Sequence, residues 1–289
     1  MKTEQKHAEG IVNLSPILPF TSPEMAVLWT KYCEERPKDF PVSRWDYVGK
    51  FNNWYSTLET ASKRWIDNLH SGKDKYRDDY LHPRIRKKVE SIEGGRFILD
   101  IGCGTGEAVI PYLKASQHYL GLDVSRVALE YASRKHNILL VDDEEFPDFN
   151  KDRILRFGSL PNAVPLERGE IFDEVIVSMV LHHVSDLRTS LETINEMLYP
   201  GGNYFIVTFD SDKRDQVDGF FNRICYKDEK RTIGHYKLPQ GMIRNVTIHF
   251  HDNDKVFEEL KKHSDFIHLD ECAGIFQIFE GIKIGRAHV

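Results

Sequence analysis

The stretch Ile98-Leu-Asp-Ile-Gly-Cys-Gly-Thr-Gly106 restricts this chain more than any other. An apolar run ending in three glycines at alternate positions is a strand that delivers its backbone to a tight turn. A ligand can approach the main chain there without meeting a side chain. Two details narrow the ligand. A dinucleotide fingerprint wants its third glycine at position 107, where this chain has Glu107, a carboxylate that repels a pyrophosphate. Asp100, at the strand's end, is costly to bury without a cation or a donor beside it. Both favour a ligand carrying an ammonium group over one carrying a diphosphate.

The pattern around this turn alternates strand and helix. Strands are predicted over 96–101, 118–123, 152–157, 172–178 and 203–209, with helices over 107–114, 125–136 and 187–198. In the last of these, Leu187, Leu191, Ile194 and Leu198 fall at helical spacing. Alternation of this kind predicts an α/β fold with a mostly parallel sheet covered on both faces. A further helix is predicted over 256–262, and a closing antiparallel hairpin over 267–272 and 275–283, turned at Gly274. Asp123 ends the second strand in Gly-Leu-Asp-Val, and a carboxylate there can accept both hydroxyls of a ribose. The competing reading is that Asp123 caps the helix beginning near Ser125. A glycine turn with Asp100 and Asp123 suits a ligand with an amine at one end and a ribose at the other, which is S-adenosylmethionine.

The segments ILDIGCGTG, GLDVS, FDEVIVSMVLHHV and MLYPGGNYFIV, in this order and spacing, resemble class I S-adenosylmethionine-dependent methyltransferases, specifically the small-molecule group. The resemblance implies a Rossmann-like, doubly wound seven-stranded sheet with the last strand antiparallel and an N-terminal helical lid. It implies that Gly102, Cys103, Gly104 and Gly106 line the methionine and ribose side, with Asp100 near the amine. Asp123 and Val124 would hold the ribose, and backbone from Ser178 onward would flank the cofactor and face substrate. Where family members often carry an acid for the adenine amino group, this chain has Ser159, followed by Leu160, whose N–H is available to adenine. Upstream, Lys75-Tyr-Arg-Asp-Asp-Tyr80 is similar to a segment in which a Tyr-Arg pair reaches the cofactor's carboxylate, and that makes Arg77 a candidate clamp. The alternative for Arg77 is an exposed pair with Asp74 or Asp78. His182 is the candidate general base, since imidazole titrates near neutrality and the residue follows the fourth strand, where substrate should approach. Packing is the competing role for His182 and the preferred one for His183.

Charge and missing motifs bear on the acceptor. The chain has 39 Lys+Arg against 45 Asp+Glu, a net charge of −6, which disfavours nucleic acid or an anionic membrane as main partner. The fourth strand ends Ser178-Met-Val-Leu181, without the Asn/Asp-Pro-Pro-aromatic motif of many enzymes that methylate nucleic-acid amino groups. The expected acceptor is therefore oxygen or nitrogen of a small molecule. A tRNA or protein methyltransferase, or a non-catalytic S-adenosylmethionine-binding protein, are the alternatives.

The remaining features set boundaries. Residues 1–92, rich in aromatic side chains and helical pattern, are expected to form the lid. Residues 93–283 form the cofactor-binding domain, with an insertion at about 210–247. The tail, 284–289, resembles the peptide translated from a common sequencing adapter and is expected to be non-native. The histidines at 249 and 251 lack cysteines or paired carboxylates in ligand spacing, so no metal is expected. Four scattered cysteines, a polar start and no long apolar run predict a cytoplasmic protein that does not span a membrane.

Overall fold

The computed structural model describes residues 63, 66, 77–141, 153–158, 160, 172–184, 186–238, 241–272 and 274–284. A helical turn, Arg77–Leu81, leads into α1, His82–Ser91, which tolerates Pro83 because the first turn has no intrahelical use for that N–H. Strand β1, Phe97–Ile101, then enters a sheet that buries all of it except Phe97. Strand β2, His118–Asp123, precedes α2, Arg126–His136, whose first turn is capped by the Ser125 hydroxyl accepting from Ala128 N–H at 3.2 Å. Then come β3, Leu139–Val141, β4, Arg153–Phe157, and β5, Phe172–Ser178. Helix α3, Leu187–Met197, is capped by Asp186 and feeds β6, Leu198–Phe209.

After β6 comes a short helix, α4, Arg214–Asp218. Strands β7, Phe221–Lys227, β8, Arg231–Leu238, and β9, Gly241–His249, follow as a separate antiparallel sheet. Helix α5, Asn253–Lys261, returns to the main sheet, which ends in the hairpin β10, Ser264–Cys272, and β11, Phe276–Lys283. Gly274 turns that hairpin with a φ of 69°.

The main sheet runs β10-β11-β6-β5-β1-β2-β4-β3, parallel throughout except for β11, which is antiparallel to both neighbours. These are the seven strands expected, with the last antiparallel, and β3 adds a short eighth at the edge. Alternate residues of β1 separate the two layers. Ile98 packs with Ile85 and Val89 of α1 and Leu129 and Ala132 of α2. Leu99 and Ile101 pack with Leu191 and Ile194 of α3 and Val256 and Leu260 of α5. Among the described residues no helix is long and apolar enough to cross a membrane.

One expected element is different. The helix anticipated over 107–114 is a single 3-10 turn, Ile110–Tyr112. Pro111 lies inside it, and a proline in a helix interior removes one hydrogen bond and clashes with the preceding turn. The first 62 residues of the anticipated lid, and positions 285–289 of the tail, lie outside the described residues. Ile284 is described and donates its N–H to the His263 carbonyl at 2.9 Å.

Candidate functional site

Gly102, Gly104 and Gly106 have left-handed backbone, with φ of 75°, 54° and 74°. At Gly102 the requirement is double, because a β-carbon there would lie 2.1 Å from Cγ2 of Val180. At Gly104 a β-carbon would meet nothing within 4 Å, so the turn is open on that side. The turn is pinned from β2: Gly102 and Cys103 donate their N–H groups to the Leu122 carbonyl at 2.7 and 2.9 Å. Asp123 supplies the next tie. Its Oδ2 accepts from Gly104 N–H at 2.8 Å and its Oδ1 from Ser125 N–H at 2.7 Å. Helix capping itself falls to Ser125. A carboxylate oxygen carries two lone pairs, so each can accept more than one hydrogen bond.

Asp100 lies on the same strand end, 3% exposed. Its Oδ2 accepts from the Tyr119 hydroxyl at 2.9 Å, and no cation among the described residues pairs with it. Burial pushes its carboxyl up to about 7 against that hydrogen bond, and the nearby Asp123 charge adds to the rise. Burial likewise holds the Cys103 thiol and the Tyr119 phenol well above their usual values. Two acids close together, one of them without a cation, beside an open glycine turn suit a ligand that brings an ammonium group and a pair of hydroxyls. They fit S-adenosylmethionine.

Contrary to what its sequence position suggests, Glu107 does not exclude a diphosphate. It pairs with Lys135 of α2, so its charge is largely compensated. The shortened helix carries that exclusion instead, since three residues of 3-10 turn offer no helix N-terminus for a pyrophosphate.

At the end of β5, Met179 is left-handed with a φ of 59°, which is uncommon for a residue with a long side chain. The turn sets Val180 against Gly102 and leads to the 3-10 turn Leu181–His183. His182 is buried there, its ring 3.9 Å from that of His183 and 4.7 Å from Phe209. Burial, with His183, His251 and His249 nearby, lowers its pKa well below the usual range. Its Nδ1 has no hydrogen-bond partner among the described residues.

His251, just past β9, fixes this turn. Its Nε2 lies 2.9 Å from the Leu181 carbonyl oxygen and 2.8 Å from that of Val184, so Nε2 carries the proton and donates to both. His251→Ala strands the Val184 carbonyl and leaves that of Leu181 with only the Val184 N–H, and urea denaturation should show about 1–3 kcal/mol less stability. An unchanged midpoint would mean that other donors reach them.

Val124 follows Asp123, half-buried, and Ser178 ends β5, also half-buried; Leu160 is fully buried in the core. Asp100, Gly102, Cys103, Gly104, Gly106, Asp123, Val124, Ser178 and His182 therefore gather at the carboxyl edge of β1, β2 and β5. Arg77 lies apart in sequence, in the turn before α1, and donates from Nε to Asp78 Oδ1 at 2.8 Å. Ser159 is outside the described residues. Among those described, no three or more His, Cys, Asp or Glu side chains gather as a metal would need. Tyr119, Val180 and His251 were missed from sequence. Only Tyr119 had a signal: Gly121, an isolated glycine inside a strand, marks a close approach.

Residues 99–204 match the family described as "Methyltransferase domain". The chain is 30% identical over 161 residues to the mitochondrial ubiquinone biosynthesis O-methyltransferase of Homo sapiens, covering 52% of this chain and 41% of that protein. It is 29% identical over 140 residues to the probable tRNA methyltransferase 9B of Bos taurus, covering 46% of this chain and 26% of that one. The chain thus spans less than half the length of these two relatives. A crystal structure from Pyrococcus horikoshii shares the fold, with a TM-score of 0.55 and 14% identity over 73% of this chain and 92% of that one. With this family match, strand order and glycine turn, the chain carries a class I S-adenosylmethionine-dependent methyltransferase domain.

Proposed function

We propose that the chain transfers a methyl group from S-adenosylmethionine to oxygen or nitrogen of a small molecule. The observation that carries this reading is the glycine turn tied to Asp123 through Gly104 N–H, with Asp100 buried beside it at the parallel strand ends. S-adenosylmethionine supplies an electrophilic methyl on sulfur, so the protein's work is to bind, align and exclude water. In this reading Asp100 takes the ammonium group and Asp123 with Val124 the ribose. Gly102, Cys103, Gly104 and Gly106 line the cofactor, Ser159 and Leu160 serve adenine, and Arg77 turns from Asp78 to the methionine carboxylate. Ser178 borders the acceptor. Residues 1–92 and the insertion at about 210–247 cover the pocket, and the protein works in the cytoplasm. The O-methyltransferase named in the human relative supports a small acceptor, as does the chain's net charge of −6.

His182 is the base in this reading. Its lowered pKa keeps the imidazole neutral at working pH, and Nδ1, buried, has no hydrogen-bond partner among the described residues. Incubating the protein with methyl-labelled S-adenosylmethionine and a metabolite extract, then identifying the labelled product by mass, tests the assignment. A labelled small molecule is expected, and His182→Ala should lower kcat about 100-fold with unchanged cofactor affinity. Label appearing in tRNA, with a steep salt dependence, would favour the activity named in the bovine relative. No labelled product from either pool would defeat the catalytic reading.

A further inference from the structure

We propose that Tyr119 is a positioning residue for the cofactor's amino-acid end: its hydroxyl fixes the Asp100 carboxyl and controls the proton that this acid gives up when an ammonium group arrives. The inference rests on reading the glycine turn as the S-adenosylmethionine cradle. Strand register sets the geometry. Asp100 pairs with Gly121 and Ile98 with Tyr119, so Tyr119 and Gly121 share the face on which Asp100 lies. A β-carbon at Gly121 would sit 2.7 Å from the Tyr119 hydroxyl oxygen and 3.0 Å from Cys103 Sγ. The missing side chain is thus the space through which the phenol crosses to the next strand and donates to Asp100 Oδ2 at 2.9 Å.

That bond occupies one oxygen and fixes the carboxyl's orientation. Asp100 Oδ1 accepts no hydrogen bond from the described residues, although the side chain is nearly fully buried. The other titratable groups around Asp100 are Asp123, further along β2, and Cys103, in the turn. On this face β4 and β5 contribute the apolar Leu155 and Ile176. The phenol and the thiol both hold their protons far above neutrality, so near pH 7 Asp100 is the member of the cluster that exchanges one.

Without ligand, the neutral Asp100 carboxyl contributes stability that is complete below the usual carboxylate range and is lost as pH rises through about 7. An arriving ammonium keeps its three protons and favours the ionised acid. The carboxyl O–H bond breaks and its proton leaves to solvent. Cofactor affinity must then rise with pH until Asp100 is ionised in the free protein. Phenylalanine at 119 keeps the packing but loses the donor that steadies the carboxylate, so the midpoint of that rise moves upward.

Titration calorimetry tests this on the full chain and on Tyr119→Phe, with S-adenosylhomocysteine between pH 6 and 8 in buffers of different ionisation enthalpy. The control ligand is 5′-methylthioadenosine, which keeps the nucleoside thioether and lacks the amino acid. The unaltered protein should bind S-adenosylhomocysteine about tenfold more tightly at pH 8 than at pH 6, releasing close to one proton at pH 6. Tyr119→Phe should bind it more weakly and shift the midpoint upward, while both proteins bind the control equally and without pH dependence. A variant that melts lower yet keeps the original midpoint and proton count would overturn the proposal, because lost packing alone moves neither. An unaltered protein that binds neither ligand would instead overturn the cradle itself.

Discussion

Replacing Gly102 by alanine should cost the protein at least about 100-fold in affinity for S-adenosylhomocysteine, and about 2–4 kcal/mol of stability. Two independent penalties combine. The left-handed φ of 75° costs any residue with a β-carbon roughly 1–2 kcal/mol. The new methyl group would also begin 2.1 Å from Cγ2 of Val180, far inside contact distance. Valine is stiff at χ1, so it cannot swing aside cheaply. The glycine turn must therefore move, and it moves against the Leu122 carbonyl that accepts from both Gly102 and Cys103, and against Asp123 that accepts from Gly104. A combined Gly102→Ala, Val180→Ala protein separates the penalties. With the clash gone, only the backbone cost remains, and about half of the lost stability should return; neighbouring residues couple in this way. Calorimetry and chemical denaturation read the two effects. Affinity within threefold of the unaltered protein would show that the turn does not touch the ligand.

The same turn shows where sequence is informative. Strands β1, β2, β5 and β6 were legible because each carries a short apolar run, stopped at a glycine in β1, at a charged residue in β2 and β6 and at Ser178 in β5, a pattern set by burial on both faces. Gly102 was legible for a local reason, the demand for positive φ, which a sequence states outright. The clash that makes it indispensable was not legible, because Val180 reaches it from the turn after β5, a strand that is distant in sequence and adjacent in the sheet. The helix expected after the turn failed because the alternation of strand and helix placed one there, and Pro111 overrode it.

Tertiary contacts account for the rest. The sheet β7-β8-β9 falls in a stretch read only as an insertion, since its strands lack a clean alternation and pair with each other rather than with the main sheet. His251 was weighed as a metal ligand by its spacing from His249. Its part in holding the Leu181–Val184 turn depends on a contact across 70 residues of chain. Tyr119 lies 19 residues from Asp100 in sequence and one strand away in space. Glycine at 121 pointed to a close approach there without saying what approached.

Asp123→Asn should weaken binding of both S-adenosylhomocysteine and 5′-methylthioadenosine by about 100-fold, ~2.7 kcal/mol, whereas Asp100→Asn should weaken only the first. The two acids address opposite ends of the ligand. Asp123 already accepts Gly104 N–H at 2.8 Å and Ser125 N–H at 2.7 Å, so in the proposed complex it holds the turn and the ribose together. Asparagine keeps one acceptor and puts an amide N–H where the second was. One backbone donor is then left facing another donor, and the charge that strengthened the ribose bonds is gone. Both ligands carry the ribose, so both lose. The Asp100 carboxyl has no such backbone tie and is held by Tyr119, and only a ligand with an ammonium group should register its loss. If Asp123→Asn melts several degrees lower but keeps affinity for both ligands within threefold, then Asp123 is a turn former and the ribose lies elsewhere. If Asp100→Asn weakens both ligands equally, its effect passes through the shape of the glycine turn and the amine assignment fails.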